Sequence, residues 1–597
     1  VSASAPSGRY IEFGYTPQKS NGVNVSTPKP LLNTVRDVLG NTWTYRYYGQ
    51  TAGETDTSQL DFLIEIISPS VDTTGDGTAD GTLSLEQLSY TTSGTVITNL
   101  TQNLGNNAIT TAYAFQPGGQ NVTTETVAGK VGTHTFSDGV YSGFQDPAGN
   151  VNQQMTNFQY RPEIVQDANA RVTQMDWSAD GKFLKTLTDS LGRMTTYSYN
   201  VGGASADTVD YIVDAEGRKT QYLYGDSANP LMPTAIKFYD TDGTTVLRWQ
   251  AFAYDSHGRM TVAKLLDPAN GTTIMSEIDR AYYSAAGAGV GLLQTETIVD
   301  PITPANNSTT TFTYDNKGRV IKTQKTSLFG CCKFTYKVYD EADHVVAAIS
   351  SDISQTPPST KAAAIALYDS AHPDKNRVTT YDYDTLGRRV LSTAFDGAGY
   401  AVKELTAYDA IGRVVRSIAN YVASGSILNP YTVSRASFSH GTNTDQNLVT
   451  DNFYNSRGML RKQIDPLDNV TLYGYDDAGR LIKTVRSAAT PNYNNDYSGT
   501  SLDPGLASYS ASSTADQDIV TTQAYDKAGN LVKTVEPSGV VTYRVYDVLN
   551  RPVKVVRAAK DAATITLNVG DGGYTAANDP RSASYLADAA PDRDLIE

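Results

Sequence analysis

Residues 314–323 read YDNKGRVIKT, and the order of these ten residues decides the fold. Asp315 and Gly318 stand three positions apart, as in a type I turn whose first side chain accepts bonds from the turn's own amides. Gly318 falls where the backbone takes an angle that other residues resist. Tyr314 ends one extended segment, and the β-branched run after Arg319 begins another. The stretch therefore predicts a β-hairpin.

The core of this stretch, Y-D-x-x-G-R, recurs along the chain. Full copies begin at Tyr254, Tyr314, Tyr383, Tyr408 and Tyr475, looser copies span Tyr454–Gly458, Tyr525–Asn530 and Tyr546–Arg551, and copies without the tyrosine span Asp37–Asn41, Asp146–Asn150, Asp189–Arg193 and Asp214–Arg218. Aromatic pairs at spacing two precede the turns, as at Tyr381/Tyr383 and Tyr473/Tyr475. This spacing puts both rings on one face of a strand. The chain is thus predicted to be a tandem array of hairpins with a short repeat of about 20 residues.

These repeats resemble the RHS/YD-repeat family, which includes bacterial RHS and wall-associated proteins, toxin-complex cocoon subunits and the YD shell of teneurins. The resemblance is strong from Val172 to Arg557 and weaker from Tyr10 to Tyr160, where the units are degenerate. It implies an all-β fold in which tandem hairpins join edge to edge into a long spiralling antiparallel sheet, either a shell or an open, filament-like assembly. The motif says little about biochemical activity.

The repeats divide the chain into three predicted parts. Residues 1–170 hold degenerate YD-type repeats and an Asp/Gly-rich loop, residues 171–557 hold the repeat array, and residues 558–597 form an Ala/Asp-rich tail or linker. Four insertions, Ser284–Ser308, Ile349–Asn376, Asn420–Asn447 and Ser487–Asp518, have the composition of surface loops. A short helix is predicted at Ala362–Tyr368.

Toxin carriers of this family end in a core segment with a D-P-x-G-L-type motif, a self-cleavage site and a variable toxin. Here Asp503–Leu506 reads DPGL, which lacks the intervening residue and precedes two more repeats, so we interpret it as a loop. A first residue other than Met suggests a processed or excised piece.

Composition excludes several classes of protein. The net charge is −15 and the pI is about 4.9, without the Lys/Arg cluster that a nucleic-acid surface needs. No apolar run reaches the roughly 18 residues of a membrane span. The 39 Tyr against 15 Phe suit half-buried β-surfaces.

A calcium loop is the one cofactor site that the sequence suggests. Residues 72–81 read DTTGDGTADG, in which Asp72, Thr74, Asp76 and Asp80 would supply oxygen ligands. Leu83 stands where a bidentate glutamate is expected. A plain Gly/Asp-rich turn explains the same residues.

The residues that carry most enzyme chemistry are sparse. The five histidines form no H-x-x-x-H pair, and the two cysteines are the adjacent Cys331 and Cys332, which excludes a disulfide framework and a four-cysteine zinc site. Turn geometry already explains the many aspartates. We therefore expect no enzyme, and no catalytic residue is assigned.

Three functions remain compatible with these features. The first is an extracellular or cell-surface structural protein that builds a shell, wall or self-assembling filament. The second is an encapsulating carrier fragment of a secreted toxin whose closing motif and toxin lie outside this chain. The third is an adhesin that binds glycans or a partner protein. Expected partners are other copies of the chain or neighbouring segments of a longer protein.

Overall fold

A computed structural model shows a protein built almost entirely of β-strands. The structure describes residues 2–4, 10–37, 39–54, 60–70, 82, 84–90, 97–102, 109–115, 121–127, 129–137, 140–284, 287, 289–326, 332–372, 375–395, 401–409, 411–422, 435–438, 445–455, 457–488, 512, 514, 516–547, 549–557 and 595–596.

Forty-two strands occur in these residues. The first sixteen are β1 (Ser2–Ser4), β2 (Tyr10–Pro17), β3 (Lys19–Ser20), β4 (Val23–Asn24), β5 (Pro30–Arg36), β6 (Thr42–Tyr47), β7 (Leu63–Ile67), β8 (Ser84–Tyr90), β9 (Ile97–Gln102), β10 (Ile109–Phe115), β11 (Asn121–Val127), β12 (Lys130–Ser137), β13 (Val140–Gln145), β14 (Val151–Thr156), β15 (Pro162–Gln166) and β16 (Val172–Trp177). The middle strands are β17 (Leu184–Thr188), β18 (Met194–Tyr199), β19 (Val209–Val213), β20 (Lys219–Leu223), β21 (Ala235–Tyr239), β22 (Val246–Tyr254), β23 (Met260–Leu266), β24 (Ile274–Tyr282), β25 (Leu293–Val299), β26 (Ser308–Tyr314), β27 (Val320–Thr326), β28 (Cys332–Tyr339) and β29 (Val345–Ser351).

The last strands are β30 (Asn376–Tyr383), β31 (Arg389–Phe395), β32 (Ala401–Tyr408), β33 (Val414–Ala419), β34 (Leu448–Tyr454), β35 (Leu460–Ile464), β36 (Val470–Tyr475), β37 (Leu481–Arg486), β38 (Ile519–Tyr525), β39 (Leu531–Val535), β40 (Val541–Tyr546), β41 (Pro552–Arg557) and β42 (Leu595–Ile596). The described helices are α1 (Lys361–Ile365) and the 3-10 turns Pro304–Asn306 and Arg435–Ser437.

Forty of the described strands form one antiparallel sheet, and β3 pairs with β4 alone. Strand β5 pairs with β2 and β6, and from β6 to β41 each strand pairs with the strands immediately before and after it in the chain, so the sheet is a continuous meander. The first and last strands of this sheet, β1 and β42, pair with β2 and β41, and no described pairing joins them to each other. The predicted long antiparallel sheet of hairpins is confirmed.

The two edges of the sheet differ. The Y-D turns all lie at one edge, here called the ladder edge, which includes Asp255–Arg259, Asp315–Arg319, Asp384–Arg388, Asp409–Arg413, Asp476–Arg480 and Asp547–Arg551. The longer connections after β29, β33 and β37 lie at the opposite edge, here called the insertion edge. This separation follows from the meander, because alternate loops of an antiparallel sheet emerge at opposite edges.

The most buried side chains lie on one face of the sheet, here called the insertion face. Tyr336 pairs with Ile349 and Ile349 with Val378 across β28, β29 and β30, and each is at most 1% exposed. Helix α1 covers them through Ala364, which is fully buried. The hydroxyl of Thr360 caps this helix by accepting a bond from the Ala363 amide at 3.0 Å.

A second insertion covers the same face further along the sheet. Tyr421 and Phe438, from the connection between β33 and β34, pack against Leu405, Ile418 and Val449. The prediction that the insertions are surface loops is therefore wrong for these residues and for Ala364. The physical reason is that a two-faced sheet leaves apolar side chains uncovered unless another segment of the chain folds over them. The short helix predicted near residue 362 is confirmed, with its start at Lys361.

Two stretches far apart in the sequence meet at the sheet edges. Asn169 donates to Asp526 at 3.3 Å, and Lys130 forms an ion pair with Asp477. The loops involved belong to the insertion edge between β11 and β16 and to the ladder edge between β36 and β39. The sheet thus coils until one layer of strands contacts the next.

Replacement of Ile418 by alanine tests whether the covered face stabilises the sheet. Ile418 is fully buried, so the I418A variant should lose about 2–5 kcal/mol of unfolding free energy through lost burial and an unfilled cavity. The matched control is I298A, because Ile298 is also in a strand but is 54% exposed, and its loss should be about 1 kcal/mol or less. Urea unfolding followed by circular dichroism measures both. Equal losses would contradict the proposed role of the covered face.

Candidate functional site: the ladder of turns

The Y-D turn is held by its aspartate. In the turn that starts at Asp255, Oδ1 accepts bonds from the amides of His257 and Arg259 at 2.9 and 3.0 Å. The Gly258 amide donates to the Asp255 carbonyl, and Gly258 has a φ of 77°. This is a type I turn followed by a left-handed residue, the arrangement of a short hairpin loop with a bulge. The turn chemistry expected from the sequence is confirmed.

The arginine of the motif closes the turn with its guanidinium. Its Nε donates to the second carboxylate oxygen of the aspartate at 2.6–2.8 Å in eight described turns, which start at Asp189, Asp214, Asp255, Asp315, Asp384, Asp409, Asp476 and Asp547. One carboxylate therefore satisfies two amides and one charged donor. Charge-assisted bonds of this kind are roughly twice as strong as neutral ones.

A tyrosine at the end of a hairpin's first strand, which is the motif tyrosine in every case below except Tyr224 and Tyr282, joins that hairpin to the one before it. Its hydroxyl donates to the carbonyl of the first residue of the preceding strand, or a residue close to it, at 2.7–3.2 Å. The pairs are Tyr224–Val209, Tyr254–Pro233, Tyr282–Met260, Tyr314–Leu293, Tyr339–Val320, Tyr383–Val345, Tyr408–Arg389, Tyr454–Val414, Tyr475–Leu460, Tyr525–Leu481 and Tyr546–Leu531. No loop joins consecutive hairpins at this edge, so the hydroxyl supplies a link that the chain itself does not.

The arginine spans the same gap in the other direction. Its guanidinium lies 4.4–5.2 Å from the ring of the next unit's tyrosine, within the range of a cation–π contact. The pairs are Arg259–Tyr282, Arg319–Tyr339, Arg388–Tyr408, Arg413–Tyr454 and Arg480–Tyr525. Arg319 and Arg480 also donate to the carbonyl of the next unit's first turn residue, each at 2.7 Å. Each motif is thus bonded to both of its neighbours, and together the motifs form a ladder.

One histidine takes the arginine's place. His344 Nδ1 lies 2.9 Å from Asp340 Oδ2, and its ring stacks on Tyr383 at 4.6 Å. His134 lies beside Glu125, and His372 lies beside Asp369. His257 is an exposed turn residue. The expectation of structural roles for the histidines fits these contacts, while His440 lies outside the described residues.

Hydrogen bonding and burial shift the ionisation of the ladder. The guanidinium of Arg259, with the turn amides, lowers the pKa of Asp255 from 3.8 to about 2. Burial raises the pKa of Tyr475 from 10.0 to about 12, and it raises the pKa of Tyr254, Tyr383 and Tyr454 in the same direction. Between these limits the aspartate stays an acceptor and the tyrosine stays a donor, as the ladder requires.

The predicted metal ligands cannot be placed in this ladder. Asp72, Thr74, Asp76 and Asp80 lie outside the described residues, as do Cys331 and the DPGL loop. Among the residues that are described, no group of three or more His, Cys, Asp or Glu side chains has the geometry to hold a metal ion. The carboxylates of the ladder already accept hydrogen bonds from amides and guanidinium groups. The ladder therefore stabilises the sheet.

Within the described part of the chain, no helix has the length and apolar character needed to cross a bilayer.

Two segments at the ladder's end match a known family. Residues 454–490 and 525–562 match the family model described as RHS Repeat. Each match includes a Y-D turn with the bonding described above. These two segments therefore carry RHS repeats, which confirms the resemblance seen in the sequence. Comparison with curated proteins gave no match.

Comparison with solved structures finds partial similarity at low sequence identity. The crystal structure of TcdB2-TccC3-Cdc42 is 13% identical with a TM-score of 0.49, over 89% of this chain and 25% of that chain. The Tc holotoxin pore of Photorhabdus luminescens is 13% identical with a TM-score of 0.47, over 92% of this chain and 24% of that chain. This protein thus spans about a quarter of the length of those chains.

Removal of one ladder hydroxyl measures its contribution. The Y475F variant loses the 2.7 Å bond to the Leu460 carbonyl and should lose about 0.5–1.5 kcal/mol of unfolding free energy. Tyr160 is 68% exposed, so Y160F is the matched control and should change stability by less than about 0.5 kcal/mol. Urea unfolding midpoints provide the comparison. A Y475F variant as stable as Y160F would show that the hydroxyl bond is dispensable.

Acid should weaken the turns. Because the folded-state pKa of Asp255 lies below its ordinary value of 3.8, the ionised carboxylate stabilises the fold above about pH 4. This stabilisation is lost as the pH falls from about 4 to about 2. The D255N variant should therefore be less stable than the wild type at pH 7, and the difference should shrink across this window. A difference that stays constant from pH 7 to pH 2.5 in urea unfolding would rule out this linkage.

Proposed function

We propose that this chain is a structural, non-catalytic part of the wall of an extracellular or cell-surface shell. The observation that carries the proposal is the coil of the single sheet, in which strands about 350 residues apart in sequence lie in contact. A sheet that coils back onto itself encloses a space. The RHS repeats at residues 454–490 and 525–562 support a structural role for the rest of the array.

The size of the enclosed space follows from the strand count. The loop between β11 and β12 meets the loop between β36 and β37, twenty-five strands further on, and the loop between β15 and β16 meets the loop between β38 and β39, twenty-three strands further on. With neighbouring strands about 4.8 Å apart, roughly 24 strands give a circumference of about 115 Å and a diameter of about 37 Å. Side chains extend about 5 Å inward from the wall on each side, so the lumen is about 27 Å wide, which is large enough for a small or extended polypeptide.

The ends of the sheet support association with further strands. Strands β1 and β42 are the first and last strands of the described sheet, and no described pairing joins them to each other. Unpaired strand edges accept strands from another chain or segment. The expected partners are therefore other copies of this protein or neighbouring segments of a longer one.

The carrier function is the second candidate. The same lumen supports an encapsulating fragment of a secreted toxin, whose closing motif and cargo would be supplied by other segments. Glycan binding by an adhesin stays a prediction, and so do the calcium loop at Asp72, Thr74, Asp76 and Asp80 and the division of the chain near residue 170.

Electron microscopy of the purified chain at several concentrations tests the shell. The expected result is hollow particles with a wall one sheet thick and a lumen of about 3 nm. Particles that join into tubes or filaments as the concentration rises would support self-assembly, whereas discrete hollow particles at all concentrations would favour the carrier. Solid particles with no lumen would contradict both.

The same samples test the calcium loop. Each is imaged with and without a calcium chelator, and a chelator that changes the particles supports a bound ion. Particles that are unchanged in shape and stability by the chelator contradict a structural calcium site.

A further inference from the structure

The contact between layers is made by two different edges of the sheet. The insertion edge of β9–β16 faces the ladder edge of β34–β41. Lys130 forms its ion pair with Asp477 there, and a Cβ placed on Gly458 would lie 3.0 Å from Ile109. Four successive ladder turns, starting at Asn455, Asp476, Asp526 and Asp547, therefore face the earlier layer.

Two of these turns depart from the motif, one at a residue that contacts the earlier layer and one at a residue bonded to that contact. The turn at Asp526 has Asn530 where most ladder turns have arginine. The turn at Asp547 has Asn550 where they have glycine, and Asn550 holds the left-handed φ of 61° that glycine adopts more easily. Asparagine closes other turns in the way that Asn530 does, by donating to the turn's own aspartate, whereas Asn550 places a side chain where glycine adopts the backbone angle more easily.

The two asparagines belong to one bonding network across the layers. Asn530 Nδ2 donates to Asn550 Oδ1 at 2.7 Å and to Asp526 Oδ2 at 2.8 Å. Arg171 of the earlier layer donates to the same Asn550 oxygen, and Asn169 donates to Asp526. Arg171 is also exceptional. Its NH1 lies 3.8 Å from Asp167, whereas the arginines of the regular turns donate to their own aspartate at 2.6–2.8 Å.

We propose that Arg171, Asn530 and Asn550 form an interaction surface between layers that fixes how many strands complete one turn of the coil. Sheet twist bends the wall, but twist varies by many degrees from strand to strand and sets no particular count. A bonding network between specific turns selects one register of the layers over its neighbours. The partner of this surface is the chain's own next layer, and the inference holds whatever the shell encloses.

Replacement of Asn550 by glycine separates this surface from the turn. N550G restores the regular motif and relieves the left-handed asparagine, so the local turn should not suffer. It removes the acceptor for Arg171 and Asn530, so amides of residues 163–173 and 545–553 should exchange with deuterium about tenfold faster. Hydrogen–deuterium exchange with mass spectrometry makes this measurement on the full chain.

Ala170 provides the matched control. It occupies the same fourth position of the facing turn with a φ of 62°, and its side chain carries no polar atom. A170G therefore relieves the same backbone strain without removing an acceptor, and its exchange should match the wild type. Equal exchange in N550G and A170G would overturn the proposal.

A variant on the other layer shows whether faster exchange in N550G comes from the lost contact or from local unfolding of the mutated turn. R171M removes the donor and should speed exchange at residues 545–553 as N550G does. The double variant R171M/N550G should exchange no faster than N550G alone, because N550G already removes the contact that Arg171 makes. Effects that multiply in the double variant would overturn the proposal.

Discussion

The whole sheet depends on the bond between the motif aspartate and the arginine four residues later. A hairpin of only two strands is marginal in water, and this chain must form many of them in register. The aspartate fixes the loop by accepting the turn amides, and the arginine holds the carboxylate in place. The loop then sets the register of its two strands, because turn geometry determines strand pairing. The tyrosine and arginine contacts between hairpins depend on this register.

Local chemistry made the turns predictable from sequence. The bonds of Asp255 reach no further than Arg259, so the order of residues contains all the information needed. The aromatic pairs were also assigned correctly to one face, since strand alternation is local. The carbonyl that accepts from Tyr454 belongs to Val414, forty residues earlier and beyond an insertion. No sequence pattern specifies that distance, so the link between hairpins was missed.

The face of the sheet that holds the core could not be identified from the sequence. The tyrosines that precede the turns are half-buried, and their hydroxyls reach backbone carbonyls. The fully buried Tyr336, Ile418 and Tyr543 lie on the opposite face. The segments that cover part of that face are rich in small and polar residues, so their composition resembles that of surface loops. The contacts between layers could not be predicted either, because they join turns separated by most of the sheet.

The connections after β29, β33 and β37 leave the sheet at the insertion edge, the same edge that meets the next layer where the two are stacked. A connection standing upright there would hold the layers apart. The described insertions instead fold sideways, as Ala364 and Phe438 show by packing onto a face of the sheet. The length of a connection therefore does not affect the distance between stacked layers. Such a wall tolerates insertions of any size, provided that they pack onto a face of the sheet. The sequence of the insertions can then vary without changing the pitch of the coil.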